Sequence, residues 1–182
     1  MKLETERLIM RPYEEKDLPD YHKLLSDKVN MFYLNEVTTD TLEESRLSLQ
    51  DAIEKMQNNK ARRFAVTLKE SGQLIGGVGY DIASVTPIGK VSHMGWFILP
   101  EYQNQGYITE AASSVLAYAF KHDNCVRITT GCYKENKPTQ KVMAKLGFRQ
   151  EADKIGAQWH EGKMKDRLEF AINKDEYDGA RI

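Results

Sequence analysis

The sequence predicts an α/β (α+β) fold in which helices flank a mixed, mostly antiparallel sheet of seven strands. Three observations predict it. Short apolar runs separated by turn residues form hairpins on both sides of the middle of the chain, which makes those strands antiparallel. Between the hairpins, a strand, a helix and a further strand follow one another, and this order favours a right-handed parallel crossover. The remaining periodic segments are amphipathic helices.

The first half of the chain alternates strand and helix signals. RLIMR is a short apolar strand that Pro12 ends, and Glu14–Leu25 follows as a helix. Leu42–Met56 is an amphipathic helix, because its apolar residues recur at helical spacing. The period then changes to two, so ARRFAVTL and QLIGGVGYDI are predicted to pair as a hairpin around the turn KESGQ.

The second half is predicted to contain the crossover. A loop, ASVTPIG, leads to the strand KVSHMGWFIL, and a helix from Gly106 to Lys121 and the strand CVRITTGCY follow. A short helix, Pro138–Leu146, ends at Gly147, where glycine can adopt the left-handed conformation. Two strands then form a hairpin around Glu161–Gly162. No repeat or linker interrupts the chain, so we expect one domain over residues 1–182.

Composition excludes several classes of protein. The 182 residues are 41% hydrophobic and 29% charged, with a formal net charge of −1, which argues against nucleic-acid binding through many phosphate contacts. Cys125 and Cys132 lack metal-ligand spacing and are too few for a disulfide framework, so we expect buried thiols. The chain shows no apolar leader and no apolar run long enough for a membrane span. We therefore expect a soluble, cytoplasmic protein without nucleic-acid or membrane partners.

The stretch PEYQNQGYITEA, residues 100–111, follows the apolar strand WFIL and leads directly into a helix. A tight turn at this point leaves several backbone N–H groups without intrahelical partners, and the helix dipole makes their surroundings positive. Phosphate groups bind at such a place without a basic side chain. Gly106 lets the backbone approach a ligand closely, and Gln103, Gln105 and Thr109 add neutral polar groups.

Other phosphate-binding motifs fit poorly. The turn lacks the GxxxxGK[ST] pattern, which argues against a nucleoside-triphosphate site. GGVGYDI, at Gly76–Ile82, resembles GxGxxG but lacks its third glycine and lies within a predicted strand, so we interpret its glycines as structural. Taken alone, the turn leaves a purely structural role open.

A second segment, ENKPTQKVMAKLGF at Glu135–Phe148, follows the next strand. With it, the chain resembles the GNAT superfamily of acetyl-CoA-dependent N-acetyltransferases, and within it the RimJ/RimL-type ribosomal-protein N-terminal acetyltransferases. The resemblance runs from about Thr5 to Ile172 and is carried, in matching order and spacing, by ETERLIMRPYEEKDLPDYHKLL, QNQGYI and NKPTQKVMAKLGF. It implies the GNAT fold, in which the central parallel strand pair splays apart.

The resemblance also implies a cofactor site. In the family the turn binds the CoA diphosphate, and this role carries over to Gln103, Asn104, Gln105, Gly106, Tyr107, Ile108 and Thr109. Ile108 replaces a small residue of the family pattern, so its side chain must point away from the phosphates. Asn136 matches the asparagine that binds the pantetheine arm. Phe97, Ile98 and Leu99 are expected to line the cofactor, with a main-chain N–H near Phe97 or Ile98 as the oxyanion donor.

Acetyl transfer to an amine needs a proton acceptor and a proton donor rather than an enzyme nucleophile. His93 stands where many relatives carry a glutamate base, and imidazole, with a pKa of about 6.5, can accept a proton at neutral pH. A hydrogen-bonded strand residue is the alternative interpretation, and Glu101 is a rival base. Thr139 matches the serine acid of the RimJ/RimL type, although helix capping would also explain it. Met143, where many relatives have a tyrosine acid, cannot donate a proton.

The acceptor is left open by the sequence. Tyr33 and Glu36, between the first two helices, and Trp159, near the tip of the last hairpin, are predicted to shape its pocket, although each also fits a structural role. HEGKM lacks the second histidine of HExxH, so we predict no metal. Three functions are considered: acetylation of a protein or peptide N-terminal amine, acetylation of a small amine such as a polyamine, aminoglycoside or amino-acid derivative, and a catalytically silent CoA-binding or interaction module. Dimers are common among relatives, which makes a homodimer an expectation.

Overall fold

The computed structural model describes residues 1–29 and 31–178, without the side chains of residues 35–37. Its strands are β1 (Leu3–Glu4), β2 (Leu8–Pro12), β3 (Ala61–Leu68), β4 (Leu74–Thr86), β5 (Gly89–Ile98), β6 (Cys125–Tyr133), β7 (Arg149–His160) and β8 (Lys163–Asn173). Its α-helices are α1 (Leu18–Ser26), α2 (Leu42–Gln57), α3 (Tyr107–Lys121) and α4 (Lys137–Lys145). Short 3-10 helices cover Glu15–Asp17, Phe32–Val37 and Pro100–Tyr102.

The predicted mixed sheet is confirmed, with one strand more than expected. Within the described residues its eight strands are hydrogen bonded in the order β1-β2-β3-β4-β5-β6-β8-β7. The extra strand, β1, pairs antiparallel with β2 through Leu3–Met10 and Glu4–Ile9. Two residues are too few to show an alternating pattern, which is why the sequence did not indicate this strand.

The chain divides into two compact units, and strands β4 and β5 and helix α3 contribute residues to both. The first unit contains Met1–Asp81 and Gly95–Val115, and the second contains Ile82–Met94 and the chain from Leu116 onward. The expectation of a single domain stays a prediction. None of the described helices combines the length and apolar character that a membrane crossing requires.

The first unit has a core built on the apolar faces of α1 and α2. Thr41 begins α2 with a capping box: its hydroxyl accepts from the Glu44 amide while the Glu44 carboxylate accepts from the Thr41 amide. The cluster consists of Tyr13, Leu18, Tyr21, Leu24, Leu25, Met31, Leu49, Ala52, Ala65, Leu74 and Leu99. Leu99 brings the end of β5 into this core, so the segment that follows starts from a fixed point.

The paired glycines of β4 allow strands to approach closely. A Cβ at Gly76 would lie 2.5 Å from the Phe97 carbonyl oxygen, and one at Gly77 would lie 2.3 Å from the Tyr13 hydroxyl and 2.6 Å from the Phe97 ring. The interpretation of GGVGYDI as structural is therefore confirmed at these two positions: they have no side chain because neighbouring groups occupy the space.

The second unit contains the parallel pair of the sheet. β5 and β6 pair in parallel from Lys90–Cys125 to His93–Thr129, and β8 pairs antiparallel with both β6 and β7. Cys125 and Cys132 on β6 are buried free thiols, as expected. The splaying of β5 and β6 beyond this ladder stays a prediction.

The prediction of a loop at ASVTPIG is wrong. β4 continues through Thr86 and β5 begins at Gly89, so only Pro87 and Ile88 reverse the chain. The Thr86 hydroxyl donates to the Gly89 carbonyl at 2.7 Å and closes the turn. Proline and glycine close together in sequence indicate a long loop, whereas here they bound a tight hairpin. The last hairpin is confirmed, with Glu161 (φ 47°) and Gly162 (φ 80°) both left-handed at its tip.

We predict that Gly76→Ala destabilises the protein by about 1–3 kcal/mol, because the new methyl group would meet a main-chain oxygen that cannot rotate away. Gly95→Ala is the matched control: Gly95 lies on β5, and a Cβ there would meet no atom within 4 Å. Urea unfolding of both variants measures the difference. Equal free energies of unfolding for the two variants would contradict the close approach.

Candidate active site

In the first unit, a turn joins β5 to α3; we call Gln103–Gly106 the QNQG turn. Asn104 (φ 59°) and Gly106 (φ 83°) both have left-handed backbones. The Tyr102 amide donates to the Leu99 carbonyl at 3.0 Å and the Gln103 amide to the Pro100 carbonyl at 3.1 Å. These bonds close the 3-10 helix before the turn, so the chain enters α3 with a fixed direction.

The amides at the beginning of α3 have no acceptor among the protein groups that the structure describes. The Glu110 amide donates to the Gly106 carbonyl at 3.0 Å, which is the first hydrogen bond of the helix. Within the described chain, the backbone amides of residues 104–109 donate to no other protein group, and residues 103–106 are exposed. Amides in this position, at the positive end of the helix dipole, form a site for an anion such as a diphosphate.

The glutamine side chains of the turn hold the turn itself. The Gln105 side-chain amide donates to the Glu101 carbonyl at 2.8 Å, and that of Gln103 donates to the Ile98 carbonyl at 3.4 Å. Each amide group has a second N–H, so the predicted role of these residues as ligand donors stays a prediction. Asn104 is exposed, whereas Tyr107, Ile108 and Thr109 are half-buried at the start of the helix.

Glycine is favoured at position 106 mainly because of its backbone conformation. A Cβ there would approach only the Arg7 side chain, at 3.4 Å, so the space around it is open. The left-handed φ angle is what disfavours other residues, most of all β-branched ones. The sequence predicts a glycine here for the close approach of a ligand, and the left-handed φ angle is a second, conformational reason for it.

The N-terminal segment contacts the turn, which the sequence did not indicate. The Arg7 guanidinium donates to the Gln105 carbonyl at 3.0 Å and to the Glu110 carboxylate at 2.7 Å. The Thr5 hydroxyl donates to the same carboxylate at 2.6 Å. Burial acts to raise the pKa of Glu110, but the hydrogen bonds from Thr5 and Arg7 outweigh it and keep that pKa below its ordinary value.

The residues expected to line the cofactor on β5 are mostly in the core. Ile98 is 7% exposed and Leu99 3% exposed, while Phe97 is half-buried with its ring against Gly77. The Leu99 amide donates to the Ile75 carbonyl at 2.8 Å. Any contact of Ile98 or Leu99 with a cofactor would therefore be through main-chain atoms, and the Phe97 ring is the side chain of this group with substantial exposure.

His93 lies in the second unit at an exposed position of β5, opposite Thr129 of β6. Its Nδ1 is 3.0 Å from the Thr129 hydroxyl oxygen, and that hydroxyl donates to the Ser92 carbonyl at 3.3 Å. The hydroxyl has one proton, so in the arrangement in which it donates to Ser92, Nδ1 is the donor to Thr129 and the lone pair is on Nε2. Such a tautomer can accept a proton at Nε2. Thr129 is a residue that the sequence analysis missed, because only strand pairing brings it beside His93.

Asn136, also in the second unit, caps α4. Its side-chain oxygen accepts from the Thr139 amide at 3.2 Å, and its side-chain NH2 group stays available as a donor. The alternative interpretation of Thr139 as the cap is therefore wrong, because Asn136 performs that role. Thr139 is half-buried, and Met143 is fully buried in the core.

The residues predicted for the acceptor pocket are distributed over both units. Tyr33, in the first unit, packs edge-on against Phe32 with 4.9 Å between ring centroids, and the side chain of Glu36 lies outside the described residues. Trp159, in the second unit, is 64% exposed and pairs across the hairpin with Met164, which is 54% exposed. Glu101, the rival base, is exposed and 3.5 Å from the Lys23 ammonium group.

Comparison with known proteins identifies the family. Residues 7–149 match the model described as the acetyltransferase (GNAT) domain. The chain is 35% identical over 152 residues to the uncharacterized N-acetyltransferase YnaD of Bacillus subtilis, an alignment that covers 83% of this chain and 84% of that protein. The chain therefore belongs to the GNAT acetyltransferase family, and it is an acetyl-CoA-dependent N-acetyltransferase.

Solved structures agree on the fold. A GNAT-family acetyltransferase from Bacillus anthracis is 30% identical, with a TM-score of 0.84 over 96% of this chain and 99% of that one. RimL, a ribosomal L7/L12 alpha-N-protein acetyltransferase in complex with coenzyme A, has a TM-score of 0.85 at 19% identity, covering 97% and 99%. A spermidine N-acetyltransferase from Vibrio cholerae in complex with CoA and spermine has a TM-score of 0.82 at 23% identity, covering 95% and 99%. The expected GNAT fold and its likeness to the RimJ/RimL type are confirmed.

We predict that Gly106→Val raises the KM for acetyl-CoA about tenfold or more, because a β-branched residue forces the turn out of its left-handed conformation and misaligns the amides. Steady-state kinetics with varied acetyl-CoA measures this effect.

Gly72→Val is the matched control, since Gly72 also has a left-handed φ angle, 73°, and a Cβ at that position would meet no atom within 4 Å. It is expected to lower the melting temperature and to leave the KM for acetyl-CoA unchanged. An unchanged KM in Gly106→Val would argue against the turn as the cofactor site.

Proposed function

We propose that this enzyme acetylates the α-amine of a protein or peptide N-terminus and binds the diphosphate of acetyl-CoA at the QNQG turn. The observation that carries the proposal is the row of amides at residues 104–109 for which the described chain offers no acceptor. They offer donors to an anion in a conformation that two left-handed residues already hold. Gln103, Asn104 and Gln105 supply further polar groups at the same turn, and Asn136 supplies a side-chain NH2 group for the pantetheine arm.

The fit of the cofactor rests on chemistry that these groups can provide. A diphosphate needs several convergent donors, and a helix N-terminus with a preceding turn provides them without a lysine. The half-buried Phe97 and the main chain at Ile98 and Leu99 are proposed to flank the arm. Main-chain groups suit a pantetheine arm because it carries amides that can pair like an added strand.

Bound acetyl-CoA supplies an acetyl thioester, from which the acceptor nitrogen takes the acetyl group while the C–S bond breaks. We propose that His93 accepts the proton that the amine loses, at Nε2. The hydrogen bond between Nδ1 and Thr129 supports this role because it orients the ring and favours the required tautomer.

The departing sulfur needs a proton, and we propose that the Thr139 hydroxyl provides it. Thr139 lies in the first turn of α4, and its hydroxyl is not needed for capping because Asn136 caps the helix. The hydroxyl regains a proton from solvent, so protons balance over the cycle: one leaves the amine and one reaches the thiol.

The acceptor class is supported by likeness alone. The RimL enzyme, whose name describes an N-terminal protein substrate, shares the fold over nearly the whole chain. The spermidine enzyme shares it as well, which makes a polyamine the second candidate acceptor. We propose Tyr33, Glu36 and Trp159 as residues of the acceptor pocket; the exposure of Trp159 supports its part. A single domain, a cytoplasmic location and a homodimer remain predictions.

A panel of acceptors tests the proposed function. We expect thiol release from acetyl-CoA with peptides that carry a free N-terminus and none with the same peptides blocked by N-terminal formylation. We expect the kcat/KM for spermidine to be at least tenfold lower than that for the peptides. This ratio corresponds to about 1.4 kcal/mol less stabilisation of the transition state. A faster reaction with spermidine would replace the N-terminal assignment with the polyamine one.

We predict that His93→Ala lowers kcat by about 10²–10⁴-fold and removes the ionisation near neutral pH from the kcat/KM profile. In the wild type, activity should rise with pH through that ionisation because the base acts in its neutral form. His122→Ala is the control, since His122 is exposed and stacks on Tyr118 at 5.8 Å. Wild-type turnover and an unaltered pH profile in His93→Ala would leave His93 with a structural role.

A further inference from the structure

We infer that Arg7 is a positioning residue for cofactor binding, because it fixes the QNQG turn in its diphosphate-binding conformation before the ligand arrives. The inference rests on the proposed function of the turn. It gives the N-terminal sequence TER a role in cofactor binding that acts through contacts within the protein.

One arginine side chain connects three points along the turn and the start of α3. Nη1 donates to the Gln105 carbonyl at 3.0 Å, inside the turn. Nε and Nη2 are each 2.7 Å from Oε2 of Glu110, in the first turn of the helix. The guanidinium carbon lies 4.2 Å from the centre of the Tyr107 ring, between those two contacts. The planar guanidinium therefore fixes the positions of these residues relative to one another.

The backbone of the N-terminal segment strengthens this connection. The Arg7 amide donates to Oε1 of Glu110 at 3.0 Å, and the Thr5 hydroxyl donates to the same oxygen at 2.6 Å. Thr5 itself is held by the Leu8 amide, which donates to its hydroxyl oxygen at 3.2 Å. Thr5 and Arg7 thus connect the turn and the start of α3 to the segment just before β2, a strand that pairs antiparallel with both β1 and β3.

The arrangement also removes an electrostatic obstacle. Glu110 is ionised at neutral pH, because its pKa lies below the ordinary value. An unpaired carboxylate in the first turn of α3 would repel a diphosphate bound at the same helix end. The paired Arg7 neutralises this charge, while its N–H groups are directed at Glu110 and Gln105.

The variant Arg7→Lys distinguishes two possible roles of Arg7: positioning the turn, and attracting phosphate by its positive charge. Lysine keeps the charge and the aliphatic stem but cannot make the forked contact with Glu110 and also reach Gln105. If Arg7 positions the turn, Arg7→Lys and Arg7→Gln should both weaken CoA binding about tenfold in calorimetric titration, the loss expected when the competent turn falls to a tenth of the population. Retention of wild-type affinity by Arg7→Lys would overturn the positioning role.

Arg11→Lys provides the matched control. Arg11 lies on β2, the strand that follows Arg7, and its guanidinium makes an equally close forked contact, at 2.7 Å from each carboxylate oxygen of Asp17, which is 6% exposed. This variant should lower the melting temperature at least as much as Arg7→Lys while its CoA dissociation constant stays within twofold of the wild type. Weakened CoA binding in Arg11→Lys to the same extent would assign the effect to general destabilisation and overturn the inference.

Hydrogen exchange of the protein without ligand gives a second measurement. If Arg7 only attracted phosphate by its charge, Arg7→Lys would not change this exchange. The Glu110 amide, which makes the first hydrogen bond of α3, should exchange faster in Arg7→Lys than in the wild type, and at an unchanged rate in Arg11→Lys. Unchanged exchange in Arg7→Lys would overturn the inference. Addition of CoA to the wild type separates the two proposals. If CoA does not protect the amides of residues 104–109, the proposed cofactor site fails. Protection in the wild type together with wild-type affinity in the Arg7 variants refutes only the role of Arg7.

Discussion

The proposed cofactor site depends on a row of main-chain amides for which the described chain offers no acceptor. An α-helix leaves its first N–H groups unsatisfied, and a protein normally supplies a capping side chain or water for them. At the start of α3 the described chain supplies no acceptor for the amides of residues 104–109, and residues 103–106, just before the helix, are exposed. In an acetyl-CoA-dependent enzyme, the diphosphate is the group that complements such donors, because it brings negative charge and several acceptor oxygens to one place.

The rest of the first unit holds these amides in position. Leu99 is anchored in the core and paired with Ile75, so the segment that follows β5 begins at a fixed point. The left-handed backbone conformations of Asn104 and Gly106 then direct the chain into α3. The side chains of Gln103 and Gln105 each use one N–H to donate to the main chain around the turn, which keeps the turn in shape. In the proposed site the main chain is therefore the principal donor to the diphosphate, and the fold determines its geometry more firmly than that of long exposed side chains.

The sequence predicted the features that local patterns encode and missed those that depend on distant contacts. Helix α2 and strand β3 were located almost to the residue, since each shows a clear hydrophobic period. The tight turn at Pro87 and Ile88 differs from the predicted loop, because proline and glycine are typical of tight turns and of longer loops. The role of Asn136 as the cap of α4, in place of Thr139, can be assigned only from the structure. The contacts of Arg7 with Glu110 and of His93 with Thr129 join residues far apart in the chain, so local sequence patterns could not indicate them.

A crystal structure of the enzyme with coenzyme A would show directly where the diphosphate binds. We predict diphosphate oxygens at about 2.7–3.2 Å from backbone nitrogens of residues 104–109, with the turn in the conformation described above. A complex in which the diphosphate lies elsewhere, while these amides contact only solvent or protein side chains, would contradict it.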